Sequence, residues 1–246
     1  MIVSRIRCGL GNQMFQYATG YALAQRAGLP FRVDTSWYRS PEADRDLYLG
    51  DWAIAADEVD GLMPPPVVET RKLFHKPLVQ EPSELIGYWQ TEKYFLDARA
   101  DLLLLFRPRA PAPVSEPFDV GIHVRRLKPF GDRFVDIATE DYYAKAIAAF
   151  RDDMIDPTFS VWSDQPTWTA RHFPPDFTIQ PTGHPVHDLY AMSRCNHQII
   201  ANSSYSWWAA WLNQNPDKRI VWPDRLTHTY PPVAETDYIP DSWQQP

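Results

Sequence analysis

The chain has few cysteines, no long apolar run and no excess of positive charge, and each shortage removes a class of protein. Only Cys8 and Cys195 occur among 246 residues, so no disulfide framework holds the fold and a reducing compartment suits it. No stretch approaches the roughly 18 apolar residues of a membrane span. The amino terminus enters a strand-like pattern at Met1–Arg7, without the look of a leader. A cytoplasmic protein is expected, or one peripheral to the inner face of a membrane. The formal net charge of -7 opposes general binding to nucleic acid or acidic lipid, although a local arginine cluster can still hold a small anion. Several chemistries also lack their motifs. Gly9-Leu10-Gly11 has neither the third glycine of the dinucleotide fingerprint nor the Gly-Lys-Ser/Thr of a P-loop, and no Gly-x-Ser-x-Gly elbow occurs. His184-x-x-His187-Asp188 has neither the helical histidine spacing nor the cysteine partners of a metal site. Asp44-Arg45-Asp46 has the spacing of carboxylates that share a metal, but no apolar run positions it and it reads as solvated loop.

What is present reads as an α/β protein. Hydrophobic content of 44% with 22% charged residues is ordinary for a soluble globular chain, and 246 residues suffice for one large domain or two small ones. Ile2–Ile6 is a strand candidate that runs into Cys8–Gln13, a Gly-rich turn. Met14, Ala18, Tyr21 and Ala22 then mark one face of a helix stopped by Gly28 and Pro30, and Phe31–Asp34 is the next strand. Leu85–Phe95 interleaves aromatic and polar residues, either as a strand and loop presenting Trp89, Gln90 and Glu92 or as a satellite aromatic core. A helix is expected over 97–106. Alternating prolines at 107–113 mark a linker, which divides the chain into domains over 1–110 and 111–246.

The second half alternates regularly. Strands are expected at 118–123, 158–162, 177–180, 197–201 and 219–222. Helices are expected near 140–150, with Thr139 as cap, at 187–194, and after Asn202 through Trp207, Trp208 and Trp211. Such alternation implies a parallel sheet covered by helices. His123-Val124-Arg125-Arg126, Ser163-Asp164 and Asn202-Ser203-Ser204 each follow a predicted strand, and strand ends of a parallel sheet lie along one edge, where such folds bind ligands. Arginine offers a fork to phosphate, serine hydroxyls and a helix amino terminus add donors, and Asp164 can accept from a nucleoside. A nucleotide diphosphate suits that chemistry. Capping roles for Asp164, Ser203 and Ser204 are compatible with it but leave the arginine pair unexplained.

Several of these stretches together resemble the bacterial α-1,2-fucosyltransferases of glycosyltransferase family 11. They are 9–18, 87–95, His123–Arg126, Ser163-Asp164 with Trp168, and Cys195-Asn196-His197 through 202–212, in family order along the chain. The resemblance implies a GT-B-like architecture, two Rossmann-type domains facing across a cleft. The acceptor would lie on the side of 1–110, and GDP-fucose mainly on 111–246. It implies inverting transfer of L-fucose from GDP-β-L-fucose to the 2-hydroxyl of a galactosyl acceptor, without cofactor or metal, for a surface glycan such as O-antigen or capsule. Arg125 maps onto the residue that holds the donor phosphates, and Ser203 and Ser204 onto phosphate ligands. His123 and Asp164 map to the nucleoside side, with Arg126, Asn202 and Gly11 as further donor-binding positions. Asn12 maps near the fucose and leaving oxygen. Trp89, Gln90 and Glu92 fall on the acceptor side, with Glu92 a candidate base. One departure stands out: the family pattern has Asp two residues after the arginine pair, and this chain has Lys128. Either Asp132 or Asp136 substitutes, or the donor geometry differs, or activity is lost and the protein binds GDP or carbohydrate without turnover. A fucosyltransferase with another acceptor, protein or glycan, is the remaining alternative.

Overall fold

The computed structural model describes residues 1–55, 57–69, 81–110, 118–126, 138–224 and 236–243. Expectations that rest on 111–117 and on Lys128, Asp132 and Asp136 lie outside them. Two compact units share the chain, Met1–Pro111 with Thr236–Pro240, and Ala112–Glu235 with Asp241–Pro246.

The first unit is built on β1 (Ile2–Arg5), β2 (Phe31–Asp34), β3 (Pro66–Val68) and β4 (Ser83–Ile86), with helices α1 (Leu10–Ala27) and α2 (Arg99–Leu105). All pairings are parallel, in the order β2-β1-β4-β3, with Ile2 opposite both Phe31 and Ser83. Parallel strands are covered on both faces and therefore read as apolar runs, and Ile2, Val3 and Leu85 are buried accordingly. α1 packs Met14, Phe15, Ala18 and Ala22 inward and ends where Gly28 turns left-handed at φ 62°, donating its N–H to Ala24 and Gln25 carbonyls. At Gly20 the helix approaches the sheet so closely that a Cβ would run into Ser4 Oγ and the Phe31 ring. The expected second domain ran unbroken to 246. Instead residues 236–240 belong to the first unit, because Tyr238 packs its ring 6.4 Å from Phe15 and Asp237 pairs with Lys93.

The second unit alternates β5 (Val120–Val124), α3 (Glu140–Asp153), β6 (Phe159–Ser163), α4 (Pro166–His172), β7 (Thr178–Ile179), α5 (Pro185–Met192), β8 (His197–Ile199), α6 (Ser204–Leu212) and β9 (Ile220–Val221). Its sheet is parallel throughout, in the order β7-β6-β5-β8-β9. β5 is central and buried along its whole length. Phe150, Val161 and Ile199 pack around it. Burying each such side chain contributes about 1.5–3 kcal/mol. Thr139 caps α3 by accepting the Tyr142 N–H at 3.2 Å, as its sequence position suggests. Trp207, Trp208 and Trp211 of α6 are wholly buried, with Trp207 and Trp211 stacked at 6.3 Å, so they are core rather than ligand platforms. The two parallel-sheet units are the α/β, GT-B-like class expected. Among the described residues no helix is long and apolar enough to cross a membrane.

Candidate active site

In each sheet the chain starts at a central strand, builds outward on one side, then returns to build the other. The reversal falls between β1 and β4 in the first unit and between β5 and β8 in the second. Loops leaving the carboxyl ends of two such strands diverge and open a crevice, the usual ligand position in open α/β sheets. The sequence-derived candidates sit at these two places.

In the second unit, Val124 lies opposite Ser163, so the residues just beyond β5 and β6 are neighbours. Asp164 uses that position twice: Oδ2 is 2.9 Å from Arg125 Nη1, and Oδ1 accepts the Arg126 N–H at 3.3 Å. Both charged side chains remain about one-third exposed, at 32% and 29%. Asp164 was expected on the nucleoside side; its visible partner is Arg125, whose orientation it fixes. Arg126 lays its guanidinium 3.9 Å above the Trp168 ring, and Trp168 stacks on His172 at 4.0 Å. α4, which the sequence did not announce, thus braces the second arginine.

His123 is buried and tilted against Tyr205 at 5.2 Å, which sets the end of β5 beside the first turn of α6. Burial first, and the Arg125 charge second, push its pKa down to about 3, so the ring is neutral. Its Nδ1 is buried without a partner among the described residues. Ser203 caps α6 by accepting the Tyr205 N–H at 3.3 Å, and Ser204 opens the helix. Both stand where helix N–H groups favour an anion. Asn202 precedes them, half-buried.

In the first unit the reversal point joins the Cys8–Asn12 turn to the loop after β4. Asn12 Oδ1 accepts from Gln90 Nε2 at 2.8 Å, while Gly11 is buried in the first turn of α1. Two glutamines missed by sequence reasoning hold this corner. Gln13 donates to the carbonyls of Cys8 (2.9 Å) and Asp46 (2.8 Å), and Gln16 donates to the Gly87 carbonyl (3.0 Å). Both lie on the buried face of α1, where polar side chains require partners; that burial was the available signal. Of the three acceptor-side candidates only Gln90 is half-exposed. Trp89 turns inward, 3% exposed and edge-on to Tyr94, and Glu92 is 8% exposed. Burial lowers the Arg99 pKa, an effect the nearby Glu92 carboxylate opposes. Neither Trp89 nor Glu92 presents its side chain at the surface. Among the described residues no group of three or more His, Cys, Asp or Glu is arranged to hold a metal; Asp188, for instance, accepts the Gly183 N–H.

Two parallel sheets, with arginines, a carboxylate and a serine-capped helix at one reversal point, define a class: α/β proteins that gather polar groups at the strand ends of open parallel sheets. Within that class the chain belongs to glycosyl transferase family 11, whose sequence pattern matches residues 84–229, and it is a glycosyltransferase. An Escherichia coli alpha-1,2-colitosyltransferase is 27% identical over 99% of this chain and 98% of its own length. A galactoside alpha-(1,2)-fucosyltransferase 2 from Oryctolagus cuniculus is 27% identical over 82% of this chain, which spans 64% of that protein. The solved structure of NodZ alpha-1,6-fucosyltransferase soaked with GDP-fucose aligns over 86% of this chain and 91% of its own, with a TM-score of 0.50 at 16% identity, a likeness of fold.

Proposed function

We propose that this glycosyltransferase transfers L-fucose from GDP-β-L-fucose to the 2-hydroxyl of a galactosyl acceptor in a surface glycan, with inversion and without a metal. The observation that carries the reading is Arg125, held by Asp164 at the reversal point of the second sheet beside the serine-capped end of α6. As the anomeric C–O bond breaks, negative charge grows on the departing diphosphate. An arginine already oriented for that oxygen stabilises the transition state more than the ground state and needs no reorganisation. Ser203, Ser204 and the α6 N–H groups are assigned to the phosphates. His123, a neutral ring with a buried nitrogen unpartnered among the described residues, is assigned to the nucleoside together with Asp164. Arg126, Asn202 and Gly11 are assigned to the donor, Asn12 to the sugar and leaving oxygen, and Gln90 to the acceptor side.

A second reading concerns the donor alone. The colitosyltransferase relative matches nearly end to end, and colitose is the 3-deoxy counterpart of fucose. A site that hydrogen-bonds the 3-hydroxyl rejects the sugar lacking it far more strongly than the converse. Turnover of GDP-fucose and GDP-colitose with lactose in EDTA, with the product linkage read by NMR, tests both. An α-1,2-fucosylated product is expected. Colitosyl transfer alone would replace the donor assignment, and GDP binding with neither transfer would reduce the protein to a binder.

A further inference from the structure

We infer that Glu69 is a positioning residue for the transfer, acting through the loop after β4 on the amide of Asn12; this rests on the role proposed for Asn12. Glu69 directly follows β3 and extends its pairing, its N–H donating to the Ile86 carbonyl at 2.9 Å. Its carboxylate takes two successive backbone donors, the N–H of Tyr88 at 2.7 Å and that of Trp89 at 3.1 and 3.2 Å. Consecutive N–H groups of this kind form a concavity for an anion, and here the chain supplies its own. Gly87 is what admits it. A Cβ there would stand 2.5 Å from Glu69 Cβ and 2.8 Å from Oε2.

The clamped loop is strained. Trp89 sits at φ 56°, a left-handed conformation rare for a bulky residue. It persists because Glu69 holds its N–H, its ring is packed against Tyr94, and Gln16 holds the Gly87 carbonyl from the other side. The loop so fixed delivers Gln90 Nε2 to Asn12 Oδ1. An asparagine amide is nearly symmetric in shape and can point either end at a ligand. With Oδ1 engaged by Gln90, the Nδ2 end is turned the other way as a donor, and it makes no bond within the described residues. A donor is what a leaving oxygen gaining negative charge requires. Glu69 therefore sets the polarity of Asn12 without touching substrate.

The test combines kinetics, GDP calorimetry and side-chain amide NMR on the full chain. Glu69→Ala and Gln90→Ala are each expected to lower kcat about tenfold with GDP affinity within about twofold of wild type, and the double variant no further than either alone, since residues acting in one chain are not additive. Glu69→Gln keeps an acceptor oxygen and is expected to recover most of the rate. Gln90→Glu would accept from Nδ2 and turn Oδ1 outward, lowering kcat as far as Asn12→Ala, roughly 10²–10³-fold. In NMR, Glu69→Ala should shift the Asn12 Nδ2 resonance and speed exchange of the Tyr88 and Trp89 amides. A folded Glu69→Ala protein with wild-type kcat and an unmoved Asn12 resonance would overturn the inference, as would effects that multiply in the double variant. If the wild type turns over no GDP-sugar, the proposed function fails by itself, and the Asn12 resonance still decides whether Glu69 orients the amide.

Discussion

Protonation of His123 gives the sharpest test of the second unit. The ring is buried at the end of β5, and its folded pKa lies near 3 because burial and then the Arg125 charge oppose the imidazolium. In the unfolded chain a histidine titrates near 6.5. Between those values the unfolded state binds the proton and the folded state does not, so stability falls as pH falls. The penalty is negligible at pH 7.5. At pH 5 it is RT ln(1 + 10^1.5), about 2 kcal/mol. Other groups titrate over this range as well, among them His197, whose pKa burial and then Arg219 also lower. The quantity to measure is therefore a difference of differences. Urea denaturation of wild type and His123→Gln at pH 7.5 and 5.0 should show the wild type losing about 2 kcal/mol more than the variant. Equal losses would mean that His123 accepts a proton in the folded state, and the proposed assignment of a neutral ring to the nucleoside would have to be abandoned.

Other consequences are smaller but distinct. Asp164→Asn should cost no more than about 1 kcal/mol in stability, because the pair with Arg125 is partly exposed; it should still weaken GDP binding by calorimetry, because Arg125 loses its orientation. Trp168→Ala removes the ring under Arg126. A loss of about 0.5–1 kcal/mol is expected in urea denaturation from the cation–π contact, with further loss from packing. Gly20→Ala forces a Cβ onto Ser4 and Phe31 and should destabilise the first unit by about 1–3 kcal/mol through overpacking, read as a lowered denaturation midpoint with GDP affinity of the surviving folded protein unchanged.

The second unit was more legible than the first, for a physical reason. Strands buried on both faces read as apolar runs, and in β5, β6 and β8 those runs end in polar residues, so Arg125, Asp164 and Ser203 could be placed at strand ends from the sequence. Thr139 declared its helix because a capping hydroxyl and an acidic first turn are local signals. In the first unit β3 is three residues long, opens on Pro66 and exposes Pro66 and Val68, so neither period nor composition reveals it. Glu69 escaped notice with it, since its role depends on the pairing of β3 with β4. For Trp89 the sequence left a binding loop and a satellite aromatic core both open, because an aromatic beside polar residues suits either; its ring lies inward against Tyr94 from a left-handed backbone. The return of 236–240 to the first unit is a long-range packing choice carried by Tyr238, which local sequence does not encode.

The proposed transfer depends above all on Arg125 holding a diphosphate without a metal. Calorimetric titration of GDP into wild type and Arg125→Ala, each with and without EDTA, addresses it directly. Micromolar binding indifferent to EDTA is predicted for the wild type, weakened by about 1.5–3 kcal/mol in the variant, the worth of a charge-assisted hydrogen bond. Absence of GDP binding, or binding abolished by EDTA, would contradict the account.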